Sequence, residues 1–194
     1  MAAGDRAEGG VRFGRTVLLA TEGELSRQPA EALLIAANAR GVLGTGGVRL
    51  AGGAEIEREA MAQAPFALGT AVVTGAGSLN ERGVRAIIHC VITDRLGGPV
   101  QAELIRRTIP VALRAVEERR LHSVALPLLG SGSGPGQLPP ALVATTIIEE
   151  IVAYLRRLTS RIDQITLVSR SAEDVGILDD VLRVARDHAW GLPR

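Results

Sequence analysis

Six short apolar runs, at residues 17–20, 32–37, 71–74, 86–92, 123–129 and 165–169, constrain this chain more than any other feature. Each is leucine-rich or β-branched and closed by turn residues, as strands are. Most lack in/out alternation, so the strands they predict are covered on both faces, as in a parallel sheet packed between helices. Stretches with helical spacing alternate with them, at 48–63, 99–120, 140–158 and 172–189. In the second of these, Leu104, Ile105, Ile109, Ala112, Leu113 and Val116 share one helical face. Pro110 lies inside it and predicts a kink or a division into two pieces. Strands alternating with helices define an α/β class with a mostly parallel, sandwiched sheet. Residues 1–10, small and charged, read as a loose tail, and 11–194 read as one domain.

Composition narrows the chemistry. Hydrophobic residues make up 46% of the 194, enough for a globular core. Aromatics are only 2%, so the core must be aliphatic and no aromatic cage is available to a ligand. A net charge of +1 offers no electrostatic case for nucleic acid. All 22 basic residues are arginine, which excludes a Walker lysine, a Schiff-base lysine and any lysine general base. Cys90 lies in an apolar run and reads as a buried structural thiol. His89, His122 and His188 have no metal-ligand spacing, and His89 reads as a satisfied core histidine. No signal peptide and no run long enough to span a membrane is seen, so a cytoplasmic protein is expected.

Two glycine-rich stretches remain. Gly44-Thr45-Gly46-Gly47-Val48 precedes a helix, and Gly130-Ser131-Gly132-Ser133-Gly134-Pro135-Gly136 follows a strand. Glycines let backbone N–H groups turn toward a ligand, and a helix N-terminus adds partial positive charge. Together they form a phosphate cradle that needs no lysine. The first stretch fails the dinucleotide fingerprint, because arginine holds its last glycine position. The second has no serine at the centre of a nucleophile elbow.

The order of these motifs resembles the macrodomain family. Ile35-Ala36-Ala37-Asn38 followed by Gly44-Thr45-Gly46-Gly47-Val48 is similar to that family's strand ending in Asn-Ala-Ala-Asn and its first glycine loop. Gly23-Glu24-Leu25 resembles its Gly-Asp-Ile turn, and Leu126-Pro127-Leu128-Leu129-Gly130-Ser131-Gly132 its second phosphate loop. Gly69-Thr70-Ala71-Val72-Val73-Thr74 and Ile87-Ile88-His89 resemble its central strands. The resemblance implies a three-layer α/β/α sandwich with a central mixed, mostly parallel sheet. It implies a cleft for ADP-ribose, free or attached to protein, without metal or redox cofactor. In that cleft Glu24 would accept a hydrogen bond from the adenine amino group, as an ionised carboxylate must. The backbone near Leu25 would fix the ring. Asn38 would contact the distal ribose, although asparagine equally suits a cap. Gly46, Gly47 and Val48 would offer amides to the distal phosphate side. Ser131, Gly132, Ser133 and Gly134 would form the opposing loop.

The departures matter as much. Ile35 replaces the first asparagine, and one extra residue separates Asn38 from the glycine loop. Arg49 stands where one hydrolase branch of the family has an acid, and an arginine is no general base near neutral pH; it could instead pair with phosphate. The other hydrolase branch uses a lysine, absent here. Arg170 falls where an aromatic commonly stacks on adenine, and a planar guanidinium can take that part. The implied function is therefore ADP-ribose binding. Removal of mono-ADP-ribose, with Asn38 positioning the ribose, is the alternative, and an interaction domain that has lost its ligand is a third.

Overall fold

The computed structural model describes residues 10–44, 46–131, 136–157 and 160–187. They form a seven-stranded sheet with helices on both faces. The strands are β1 (Val11–Phe13), β2 (Thr16–Glu22), β3 (Ala32–Asn38), β4 (Ala71–Thr74), β5 (Ala86–Thr93), β6 (Ser123–Pro127) and β7 (Gln164–Ser169). Their spatial order is β1-β2-β7-β6-β3-β5-β4. The five inner strands run parallel, and β1 and β4 close the edges antiparallel. The sheet is thus mixed and mostly parallel, as the apolar runs require. The short edge strand β1 carries no signal strong enough to be read beforehand, because Val11, Arg12 and Phe13 lie between glycines.

The helices are α1 (Gly47–Gly52), α2 (Ala54–Gln63), α3 (Ala102–Glu118), α4 (Pro140–Arg157) and α5 (Ala172–Asp187). The last three cover one face. There Ile105, Ile109 and Leu113 of α3, Ile147, Ile148 and Ile151 of α4 and Leu178 of α5 are wholly buried against Leu34, Ile88 and Ile165 of the sheet. Each such side chain contributes about 1.5–3 kcal/mol relative to an exposed one. A smaller cluster on the other face joins Leu33, Ile87 and Ala125 to Val48 of α1, Ile56 of α2 and Leu79 of a 3-10 turn at Gly77–Arg82.

Two expectations need correction. The stretch at 48–63 is not one helix, because Gly53 adopts φ 90°, ψ 173° and ends α1. Only glycine enters that region at little cost. Of the two outcomes expected at Pro110, a division into two pieces does not occur, since α3 is one helix with Pro110 inside it. A helix-interior proline forfeits a hydrogen bond, costing about 3 kcal/mol, and the buried face of α3 outweighs that loss.

His89, at the middle of β5, is wholly buried. Its Nε2 lies 2.9 Å from Thr74 Oγ1, whose own hydrogen goes to the Gly75 carbonyl. The Thr74 oxygen therefore accepts, Nε2 carries the proton, and Nδ1 is left as a buried acceptor with no partner. The reading of His89 as a satisfied core residue holds for only one of its two nitrogens. Next to it Cys90 is buried as expected, and burial pushes its thiol up to about 12.

Candidate ligand cleft

The parallel strands all end on one edge of the sheet, and the chain's path opens a gap there. From β3 the chain moves outward to β4 and β5, whereas from β6 it moves the other way to β7. Strand β3 pairs with β6 only at Ala32–Val124 and Leu33–Ala125. Beyond that the two part, and Pro127 has no N–H to offer a neighbour. Such a switch point is where open α/β sheets hold ligands.

A cavity of about 310 Å³ occupies the gap. Ala36 and Asn38 of β3 line one side, and Pro127 with Leu128, Leu129, Gly130 and Ser131 line the other. Strand β6 stops at Pro127 and not at Leu129, so the last part of the expected strand becomes cavity wall. A segment not anticipated from sequence closes the third side: Thr93, Leu96, Gly97, Gly98 and Val100 between β5 and α3. Its turn-rich run Asp94-Arg95-Leu96-Gly97-Gly98-Pro99 after a strand is the signal that would have found it. This segment braces both glycine stretches. Gly44 packs near Leu96, while a Cβ on Gly130 would stand 2.7 Å from Val100 Cγ1 and one on Gly136 would stand 2.8 Å from Pro99 Cβ. Both glycines have positive φ, 86° and 81°. The Val100 N–H donates to the Gly136 carbonyl at 2.9 Å, closing the brace.

Asn38 is buried at the cavity wall, and its amide is engaged by its own turn. Nδ2 donates to the Val42 carbonyl at 2.6 Å, and Oδ1 accepts from the Arg40 N–H at 3.0 Å. It shapes the loop and retains one amide hydrogen and one lone pair for a ligand. Ser131 lies beside the cavity with its hydroxyl donating to the Leu128 carbonyl at 2.9 Å. Gly132, Ser133 and Gly134 lie outside the described residues.

Glu24, Gly47 and Arg170 meet in a second group at the same edge. Strands β2 and β7 run side by side to Glu22 and Ser169, and the Gly23 N–H donates to the Ser169 carbonyl at 2.8 Å. The two chains then turn outward together, which brings Glu24 Oε1 to 3.7 Å from Arg170 Nη1. Gly47, the first residue of α1, faces the same carboxylate: a Cβ there would lie 3.2 Å from Glu24 Oε2. Leu25 opens a 3-10 turn beyond Glu24 and is partly buried, Gly46 is exposed ahead of α1, and Val48 is buried in the smaller core cluster.

Arg49 points at neither group. Its Nε donates to Glu57 Oε2 at 2.8 Å, and Glu57 Oε1 accepts the Leu43 N–H at 2.8 Å. The arginine that could have paired with phosphate or an acidic substrate group is instead a strut, bridging the break at Gly53 and holding the loop after Asn38. Burial works to raise the Glu57 carboxyl, but the Arg49 hydrogen bond, the Leu43 amide and the Arg49 charge outweigh it and hold it below 4.5. A carboxyl lowered on folding adds stability above its unfolded pKa and loses it as pH falls through the folded value. Glu57→Gln is therefore expected to cost about 1–2 kcal/mol at pH 7 and clearly less at pH 3, measured by urea unfolding at both.

Comparison with known proteins places this architecture. The Macro domain family model matches residues 35–147. An uncharacterized protein of Aquifex aeolicus is 36% identical over 134 residues, 67% of this chain and 78% of that protein. The Oceanobacillus iheyensis macrodomain with ADP superposes with a TM-score of 0.78 at 20% identity, covering 92% of this chain and 96% of that one. The Trypanosoma brucei macrodomain in complex with ADP-ribose gives a TM-score of 0.71 at 17% identity, covering 86% and 68%. The chain belongs to the Macro domain family. Its three-layer mixed sheet is the fold of those structures. No helix among the described residues is long and apolar enough to cross a membrane.

Proposed function

We propose that this protein binds ADP-ribose, free or attached to protein, along the edge described above. The observation that carries this reading is the joint placement of the two glycine stretches. Gly44 of the first and Gly130 with Ser131 of the second line one cavity at the switch point, with Asn38 in its wall and Glu24 further along the same edge. Backbone amides of the glycine stretches would hold the diphosphate. Glu24 would accept from the adenine amine, and Asn38 would hold the distal ribose through the amide hydrogen its turn leaves free. Binding is favoured over hydrolysis because no carboxylate or histidine is among the described residues that line the cavity, and Arg49 is committed to Glu57.

The test is calorimetric titration with ADP-ribose, beside AMP and ribose 5-phosphate. Saturable one-to-one binding that prefers ADP-ribose is expected. Asn38→Ala should weaken it at least tenfold, about 1.4 kcal/mol, and should weaken AMP, which lacks the distal ribose, much less. Equal losses for both ligands would remove Asn38 from the ribose subsite. No binding of any of the three by the parent protein would overturn the reading.

A further inference from the structure

The pairing of Glu24 with Arg170 changes what the base end of the cleft can read. Beyond Arg170 at 3.7 Å, no donor among the described residues reaches the Glu24 carboxylate, which is about half exposed. The backbone under Arg170 is fixed. The Ser171 N–H donates to Ser169 Oγ at 3.2 Å, the Ser169 hydroxyl to Asp174 at 2.9 Å, and the Asp174 N–H to Ser171 Oγ at 3.3 Å. Gln28 Nε2, donating to the Glu24 carbonyl at 3.1 Å, steadies the other side. Two held loops thus present a guanidinium donor followed by two carboxylate acceptors.

A purine edge can be compared with that order directly. A 6-aminopurine offers one acceptor, N1, beside one donor group, the N6 amine. It satisfies one guanidinium N–H and one carboxylate oxygen and leaves the second oxygen unused. A 2-amino-6-oxopurine offers an acceptor, O6, followed by two donors, N1–H and N2–H. It matches all three positions, with the carboxylate engaged through both oxygens. In the register where it takes the adenine amine, the carboxylate would face O6 and repel it; shifted onto N1–H and N2–H it binds through both oxygens, and the adjacent guanidinium then gives O6 a charge-assisted bond. Arg170 is 80% exposed and free to adjust to either edge.

We propose that the Glu24–Arg170 pair makes the cleft accept guanine as well as adenine, so that guanosine diphosphate sugars are a ligand class alongside ADP-ribose. The inference rests on the binding reading above. The experiment is titration of the intact protein with ADP-ribose, GDP-ribose and the inosine analogue, which keeps O6 and N1–H but lacks the 2-amino group. GDP-ribose is expected to bind within about threefold of ADP-ribose or tighter, and the inosine analogue severalfold more weakly than GDP-ribose. In Arg170→Phe the ratio of GDP-ribose to ADP-ribose affinity should fall at least tenfold, with the melting temperature showing the variant folded. ADP-ribose binding with GDP-ribose thirtyfold or more weaker would overturn this inference and leave the cleft standing. An unchanged ratio in Arg170→Phe would also overturn it. Binding of neither sugar nucleotide would overturn both readings.

Discussion

Replacing Gly41 by valine is expected to destabilise the protein by about 4 kcal/mol, more than any substitution at an exposed cleft residue. Gly41 sits in the turn that follows Asn38, with φ at 70° and its N–H donating to the Asn38 carbonyl at 3.1 Å. An L-residue there costs about 1–2 kcal/mol from backbone conformation alone. The surroundings add to that cost. A Cβ on Gly41 would stand 2.8 Å from the carbonyl carbon of Ala60, 2.9 Å from the Met61 nitrogen and 3.0 Å from the Ala60 oxygen. These are backbone atoms of α2 and cannot swing aside as a side chain can. Overpacking of this kind costs about 1–3 kcal/mol further. For a protein of this size the sum lowers the melting temperature by roughly 10 °C, readable by calorimetry or urea unfolding. A loss below about 1 kcal/mol would show that the Asn38 turn is not seated on α2.

Acid should weaken the fold through His89. Burial lowers this imidazole from 6.5 to about 4, because a charged ring in the core would be stripped of water. The folded protein therefore keeps His89 neutral while the unfolded chain takes up a proton below pH 6.5. The unfolded state binds more protons between pH 6.5 and 4, so stability falls as pH drops through that window. The loss attributable to this one residue is about 3 kcal/mol by pH 4. In His89→Gln the side-chain amide reaches the place of Nε2 and can still donate to Thr74, and no proton can be taken up. Urea unfolding from pH 7.5 to 4 should show a shallower decline in this variant than in the parent. Parallel profiles would mean that the protonated ring is tolerated where it lies.

The strands were legible in the sequence because the sheet is covered on both faces. Residues 86–92 of β5 are buried without alternation, as a central parallel strand demands. What misled was local. Gly53 looked like an ordinary helix glycine until its φ showed a break, and Pro110 was tolerated because the wholly buried row on α3 outweighs one missing hydrogen bond. The cleft was legible in its glycine stretches, which need special backbone, and in Asn38. The partner of Arg49 was not legible, because Glu57 lies beyond the break at Gly53 and only the packing of α1 against α2 brings the two together. The bracing segment at 93–100 was missed because its contacts with Gly130 and Gly136 join residues thirty or more positions apart in sequence.

The parting of β3 from β6 has a mechanical meaning. On one side of the gap stand β3, β5 and β4, and on the other β6, β7, β2 and β1. Near the gap only two registered residue pairs tie the halves through the sheet itself. An occupant of this seam would act as a keystone, touching both halves and existing as a bound species only while they are aligned. Mass action then turns occupancy into resistance to unfolding, about 2.7 kcal/mol at a ligand concentration one hundred times Kd. The place where the sheet is least stitched is the place where a small molecule can do most to hold it together.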